Sequence, residues 1–472
     1  MTDRVLTKLL LVLGMATLLS SLALWTVQLN AFDQPNAATG AWMSLAYYTS
    51  QGMLYPPIAK EGHYGGTRHM PLFFSLHAGL ARLTGEYYAS GRLAVLLSLT
   101  GLIVAMALAI RSNTLSVPLA VAVSGLVLAT GVGMRVLLAI RGDVLPVFLS
   151  VLGLLVIERC RSRRMFVLGA ALLALAPLAK FTAFSALIAA TVYLLLRAPR
   201  RAAALLLVAL CVLGTGLLAT QWLSGGRFVE NLISCSAGGT GGRSLPGALY
   251  EYGFFLYVHA QLLVPLAFLG FLCPHRASKL WQIYFVTNFV LALGFFFDVG
   301  SASNHLIELL SAATIAASVC LRPEEPSLRR AALLVFAWLA LLGLGLYHVE
   351  AWRPEHRQTT PRQLVVRELE LQNKHFLSED PTLSILMNKK PVVLDFFMFR
   401  VLTEKGIIPP VELPQRIRNK EFDRVILLRY LPSADALSWY REKGFGDRVA
   451  RAILDAYVFE KEVRGYYVYR PK

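Results

Sequence analysis

Long apolar runs interrupted by clusters of arginine recur along most of this chain, and that alternation constrains the fold more than any other feature. A run of roughly 20 apolar residues can cross a bilayer as a helix, in which every backbone amide is satisfied internally. The runs extend approximately from Leu9 to Leu29, Leu93 to Ile110, Leu115 to Met134, Val144 to Ile157, Phe166 to Ala179, Phe184 to Leu196, Ala202 to Leu223, Phe254 to Cys273, Leu280 to Phe297, Leu306 to Leu321 and Ala331 to Tyr347. They predict a polytopic α-helical membrane protein with about eleven transmembrane helices. Several runs are shorter than a lone span prefers, so they extend into their polar flanks or sit inside a bundle. Composition agrees, with 56% of residues hydrophobic and only 16% charged.

The net charge of +17 lies in short loops between apolar runs, not on one surface, which speaks for membrane topology and against nucleic acid as a partner. Alternate loops carry it: Arg111; Arg159, Arg161, Arg163 and Arg164; Arg197, Arg200 and Arg201; Arg276 and Lys279; Arg322, Arg329 and Arg330. Basic residues in short loops stay cytoplasmic. Arg4 and Lys8 precede the first run, which lacks a small-residue cleavage site and reads as an uncleaved signal anchor. An odd number of spans then leaves the N-terminus cytoplasmic and the C-terminal part outside. The five cysteines show no CxxC spacing, so neither a disulfide framework nor a zinc site is indicated.

The chain divides into a membrane domain over 1–349 and an extracytoplasmic domain over 350–472. The first outer loop, 30–88, contains Met70 to Leu83, an apolar stretch interrupted by His77 and Arg82 that reads as an interfacial helix. A second outer segment, Gly225 to Gly253, holds the glycine-rich run Ala237 to Gly242, read as a mobile loop or a plain connector. From about Glu350 charges, prolines and short β-rich runs replace the apolar ones. Val392 to Phe396, Arg424 to Tyr430 and Tyr466 to Tyr469 are expected as strands and Ala434 to Lys443 as a helix, giving a small α/β domain.

Ionisable groups at the ends of membrane spans are costly and therefore candidates for function. Arg141 and Asp143 fall at the outer end of one span, Lys180 at the outer end of the next, and Asn304, His305 and Glu308 at the start of a third, while Asp33, His63, Arg68 and His69 belong to the first outer loop. Bland readings stand beside these: Arg141 and Asp143 as an ion pair anchoring a helix end, Lys180 snorkelling to the interface, Glu308 neutralised by a neighbour, the histidines as surface or packing groups. Together, cations and carboxylates near the outer leaflet suit an anionic lipid headgroup such as a phosphate or diphosphate.

Several local patterns resemble the membrane-embedded GT-C glycosyltransferases, in particular bacterial relatives of the protein mannosyltransferases and the lipid A aminoarabinose transferases. They are Ala46, Gly52, Leu54 and Tyr55 followed by Met70-Pro71-Leu72-Phe73 and Gly91-Arg92-Leu93; Arg141-Gly142-Asp143; Lys180-Phe181-Thr182; Ser303-Asn304-His305-Leu306-Ile307-Glu308; and Ser378-Glu379-Asp380 with Gly465-Tyr466-Tyr467-Val468-Tyr469. The resemblance implies an inverting transfer of a sugar from a polyprenyl-phosphate donor to an extracytoplasmic glycan, lipid or protein acceptor at a bacterial cytoplasmic membrane. It implies Lys180 and Arg141 as ligands of the lipid phosphate, and Asp143, His69, Asn304, His305 and Glu308 as pocket or supporting residues.

The family places an acidic pair in the first loop, where this chain has Ala38 and Thr39; the nearest carboxylate is Asp33, which becomes the expected catalytic base, with Asp143 or Glu61 as substitutes. No cofactor is required by the pattern; a divalent cation enters only if Asp33, Asp143 and Glu308 converge. Two rivals remain at this stage: a transporter or flippase of a lipid-linked or anionic solute, and a non-catalytic binder of lipid-linked sugars.

Overall fold

The structure is a computed structural model that describes residues 3–29, 37–114, 116–236, 242–272, 279–298, 302–324, 326–351 and 362–472. Asp33 and most of the glycine-rich run, residues 237–241, lie outside the described residues.

The apolar runs fold as helices, mostly longer than the runs themselves: Asp3–Leu29, Tyr87–Thr114, Val144–Glu158, Arg163–Ala179, Ser185–Leu195, Pro199–Leu223, Lys279–Phe295 and Pro326–Ala351. Serine and threonine mark several starts by capping orphan amides: Ser116 accepts from Leu119, Thr130 from Gly133, Ser162 from Met165 and Ser244 from Gly247. Among the described residues, five helices are long and apolar enough to cross a membrane, or seven if two sharply bent pairs each count as one span. The shorter helices Val144–Glu158 and Ser185–Leu195 pack among them. On the outside of the bundle, Leu207, Leu210, Leu218 and Trp222 are exposed, as lipid-facing side chains are.

The two bent pairs depart from the continuous spans expected over Leu115–Met134 and Phe254–Cys273. Val117–Ala129 turns by 83° into Gly131–Leu138, and Leu245–His259 turns by 92° into Leu263–Leu269. The first break falls at Thr130, whose extended backbone ends one helix and whose hydroxyl caps the next. The second falls beside Gln261, whose positive φ of 22° is incompatible with a continuing helix.

The basic loops gather at one end of the bundle. Arg330 pairs with Asp3 at 2.7 Å, Arg322 donates to Asn113, Arg159 donates to the Leu108 carbonyl, and the Trp281 indole N–H donates to Glu158 at 2.9 Å. Asp143, Lys180 and Asn304 meet at the other ends of the same helices.

Beyond 362 the chain forms a four-stranded sheet in the order Phe376–Ser378, Arg424–Leu427, Tyr466–Pro471, Tyr457–Val463. The first pair is parallel and the others antiparallel. Ala434–Glu442 is a helix, close to its expected bounds. The run Val392 to Phe396 is not a strand of this sheet. Val393 makes a single bridge to Tyr64, and Phe396 opens the helix Phe396–Glu404, capped by the Asp395 carboxylate accepting from Met398.

That bridge ties the first loop to the C-terminal region. Tyr64 N–H donates to the Val392 carbonyl and Leu394 N–H to the Tyr64 carbonyl, each at 2.8 Å. Lys405 donates to the Ser234 carbonyl at 2.8 Å, adding a second tie. The helix Ala37–Ser50 follows Asp33 in the chain and packs against the Asp380–Pro381 corner through Gly40, where a Cβ would stand 2.7 Å from both residues. The expected interfacial stretch is the helix Pro71–Thr84, stopped by Gly85 in the left-handed conformation.

Candidate functional site

The Asp143 carboxylate is the centre of the site. It is buried, at the start of Val144–Glu158, and two segments distant in sequence converge on it together with the nearby Arg141. Lys180 Nζ donates to Oδ1 at 2.7 Å, Asn304 Nδ2 donates to the same oxygen at 2.9 Å, and Arg141 Nε stands 3.2 Å from Oδ2. Each partner is delivered by a helix end. Lys180 follows the last turn of Arg163–Ala179, which contains Pro177, and Asn304 lies in the turn Ser303–Leu306 that opens the span ending at Leu321. The Arg141–Asp143 bend is held close to the first loop: Thr39 Oγ1 accepts from Ile140 N–H at 3.3 Å, and Gly142 lies so near Trp42 that a Cβ would stand 2.6 Å from the indole.

These residues line a cavity of about 420 Å³ together with Trp42, Arg68, His69, Asp298 and His305. Trp42 and His69 stack with ring centroids 4.1 Å apart, giving the cavity a flat aromatic wall. Burial, reinforced by the Arg68 charge, lowers the His69 pKa to about 3, so its imidazole is neutral at neutral pH. Arg68 and Asp298 approach to 3.7 Å, both part-exposed, and join the first loop to the segment that precedes Asn304. The Nδ1 of His305 is buried without a hydrogen-bond partner among the described residues.

The electrostatic arrangement suits an anion. Lys180, Arg141 and Arg68 face two carboxylates, and the two cations on Asp143 commit only part of their donor capacity to it, since an ammonium carries three N–H groups and a guanidinium five. A divalent cation fits poorly here, because both Asp143 oxygens already face Lys180, Asn304 and Arg141. Among the described residues no group of three His, Cys, Asp or Glu side chains is placed to hold a metal ion.

Of the residues singled out in the sequence, Arg141, Asp143, Lys180, Asn304, His305, His69 and Arg68 meet around this cavity. Glu308 does not line it; its buried carboxylate accepts from the Tyr284 hydroxyl at 3.0 Å. Glu61 is exposed in the turn between Ala59–Lys60 and His63–Tyr64, beside Lys60, and His63 faces the Pro391 carbonyl at 2.9 Å. Trp42 was not foreseen as a site residue; its only signal was its place just after the Ala38-Thr39-Gly40 stretch.

The fold that presents this site is shared with solved structures of an ArnT and of an archaeal oligosaccharyltransferase. Over nearly its whole length the chain is similar to ArnT from Cupriavidus metallidurans, in its apo state with a TM-score of 0.66 and 14% identity, covering 96% of this chain and 97% of that one. It is similar to the same protein bound to undecaprenyl phosphate with a TM-score of 0.65 and 13% identity, over the same shares of both chains. The archaeal oligosaccharyltransferase AglB from Archaeoglobus fulgidus, in complex with an inhibitory peptide and a dolichol-phosphate, matches with a TM-score of 0.54 and 11% identity, covering 97% of this chain and 74% of that one. No protein-family model and no curated protein sequence matches the chain.

Proposed function

We propose that this protein is an inverting glycosyltransferase that takes a sugar from a polyprenyl-phosphate donor and passes it to an acceptor on the outer face of a bacterial cytoplasmic membrane. The observation that carries the reading is the pair of cations, Lys180 and Arg141, held by one buried carboxylate at the wall of a cavity. The likeness in fold to an ArnT bound to undecaprenyl phosphate supports the lipid carrier.

In this reading Asp143 and Asn304 position Lys180 and Arg141, whose remaining N–H donors receive the lipid phosphate as the bond to the anomeric carbon breaks. Asp33 is the base that removes the acceptor's proton as its oxygen or nitrogen attacks from the opposite face. The Trp42–His69 wall and His305 hold the sugar or acceptor. Glu308, off the cavity and held by the Tyr284 hydroxyl, has no direct part in the transfer. The gathering of basic loops at one end supports about eleven crossings, counting the shorter helices, with the N-terminus cytoplasmic and the region from 350 onward outside as a separate α/β domain.

The test is transfer of a radiolabelled sugar from its polyprenyl-phosphate carrier by purified protein in lipid. Lys180→Ala should lower turnover by about 10²–10³, the usual loss when one donor to a developing charge is removed. Asp33→Asn should abolish it. Unchanged turnover in both variants would overturn the roles. Movement of the donor across proteoliposomes without covalent change would instead make the protein a transporter.

A further inference from the structure

At the opposite end of the same helices lies a second cavity, of about 270 Å³, that the transfer reaction does not use. Asp143 and Arg159 flank the helix Val144–Glu158, and Asn304 and Arg322 flank most of the span ending at Leu321. At 1.5 Å rise per residue, these helices separate the two cavities by roughly 20–30 Å.

The walls of this cavity have two characters. Arg159, Arg322, Ser112 and Gln282 are exposed or half-buried and offer N–H and O–H donors, whereas Ala109, Ile315 and Val319 are buried and apolar. The arginines come from separate spans and are anchored. Asn113 Oδ1 accepts from Arg322 Nε at 3.1 Å and from Nη2 at 2.8 Å, while Asn113 Nδ2 donates to Ser318 Oγ at 2.9 Å. Arg159 donates through Nη2 to the Leu108 carbonyl. Glu158, the carboxylate among the lining residues, accepts the Trp281 indole N–H at 2.9 Å. Arginines that served topology alone would need only to sit in the loop. Here side-chain amide and carbonyl groups aim two of them at one cavity with an apolar back.

We infer that this cavity is a phosphate site for a phosphate-bearing headgroup, set among the basic loops. The phosphate oxygens accept charge-assisted hydrogen bonds from the guanidinium groups of Arg159 and Arg322, which the anchors hold at the cavity wall. The source is an anionic phospholipid, whose first acyl methylenes would cover Ile315 and Val319, or a free phosphate compound.

The two sources separate in a thermal-unfolding titration of the full chain in detergent. The probes are dioleoylphosphatidylglycerol, dioleoylphosphatidylcholine, inorganic phosphate and glycerol phosphate, with native mass spectrometry to count retained lipid. Phosphatidylglycerol should raise the unfolding midpoint and phosphatidylcholine should not. In Arg159→Gln/Arg322→Gln the half-saturating concentration should rise about tenfold or more, as expected for loss of hydrogen bonds to a charged group, while Arg200→Gln in another basic loop leaves it unchanged. An equal, arginine-dependent shift with inorganic phosphate or glycerol phosphate assigns the site to a free phosphate compound. If the double variant does not fold, Gln282→Glu places a negative charge in the cavity and should weaken binding similarly. No arginine-dependent shift with any phosphate probe, or unaltered binding in Gln282→Glu, overturns the inference.

Discussion

Asp143→Asn is the substitution that interrogates the site most directly. The side chain keeps its shape, but a buried carboxylate that faces Lys180 at 2.7 Å and Arg141 at 3.2 Å becomes neutral. Removing one partner of a fully buried ion pair costs about 3–5 kcal/mol because the other charge is stranded. Here the strandable cations are partly solvated, with side chains 22% and 31% exposed, so the cost falls to about 2 kcal/mol. Lys180→Met alone strands the carboxylate, which retains Arg141 and Asn304, and should cost a similar amount. In the double variant neither charge is stranded by the other, so its loss should fall short of the sum by about 1–2 kcal/mol. Unfolding of the purified protein in mixed micelles with rising SDS, followed by tryptophan fluorescence, gives the four free energies of this cycle. Strict additivity, with a coupling below about 0.3 kcal/mol, would refute the claim that Asp143 organises the cations.

Gly142→Ala would bring a methyl to 2.6 Å from the Trp42 indole and should destabilise by about 1–3 kcal/mol, with a shift in tryptophan emission as the ring gives way. Burial raises the Glu379 carboxyl from 4.5 to about 7, partly offset by hydrogen bonds from Leu428 N–H and the Tyr440 hydroxyl. The folded state therefore holds this proton more tightly than the unfolded chain, so the contribution is full below pH 4.5 and is lost by pH 7, a fall of about 3 kcal/mol. Glu379→Gln should flatten that part of the stability-against-pH curve between pH 5 and 8; an unchanged slope would exclude Glu379 as its source. Gly40→Val should push the Ala37–Ser50 helix off the Asp380–Pro381 corner, seen as faster proteolysis between the first loop and the C-terminal region, and unaltered cleavage would show that the corner tolerates the side chain.

The charged residues were legible because they stand out against apolar surroundings. Arg141, Asp143, Lys180 and Asn304 each read as a polar group at a helix end, and the geometry adds that the other three share the Asp143 carboxylate. What composition could not reveal is where an apolar run breaks. Leu126–Ala129 and Leu263–Leu269 are as greasy as any span, and their 83° and 92° bends depend on the local backbone at Thr130 and Gln261. The aromatic wall was hidden for a different reason: Trp42 and His69 lie in separate parts of the first loop, and no periodicity joins them. In the C-terminal region Tyr457–Val463 escaped notice because three consecutive charged residues, with a register shift between Phe459 and Lys461, erase the alternation that marks a strand. Val392 to Phe396 misled because its β-rich run satisfies its backbone partly through Tyr64 and then yields to a capped helix.

The pairing of Tyr64 with Val392 and Leu394 also sets an order of events during synthesis. A ribosome delivers the first loop early, but the two backbone groups that flank Tyr64 do not exist until most of the later helices have been made. Closing so long a loop is a late and slow step of folding. The chain around His63–His69, and with it the Arg68 and His69 side of the cavity, therefore waits for its final support until the stretch from Val392 to Leu394 has emerged. A nascent chain halted before that point carries Lys180 and Arg141 without the supported wall that completes their site.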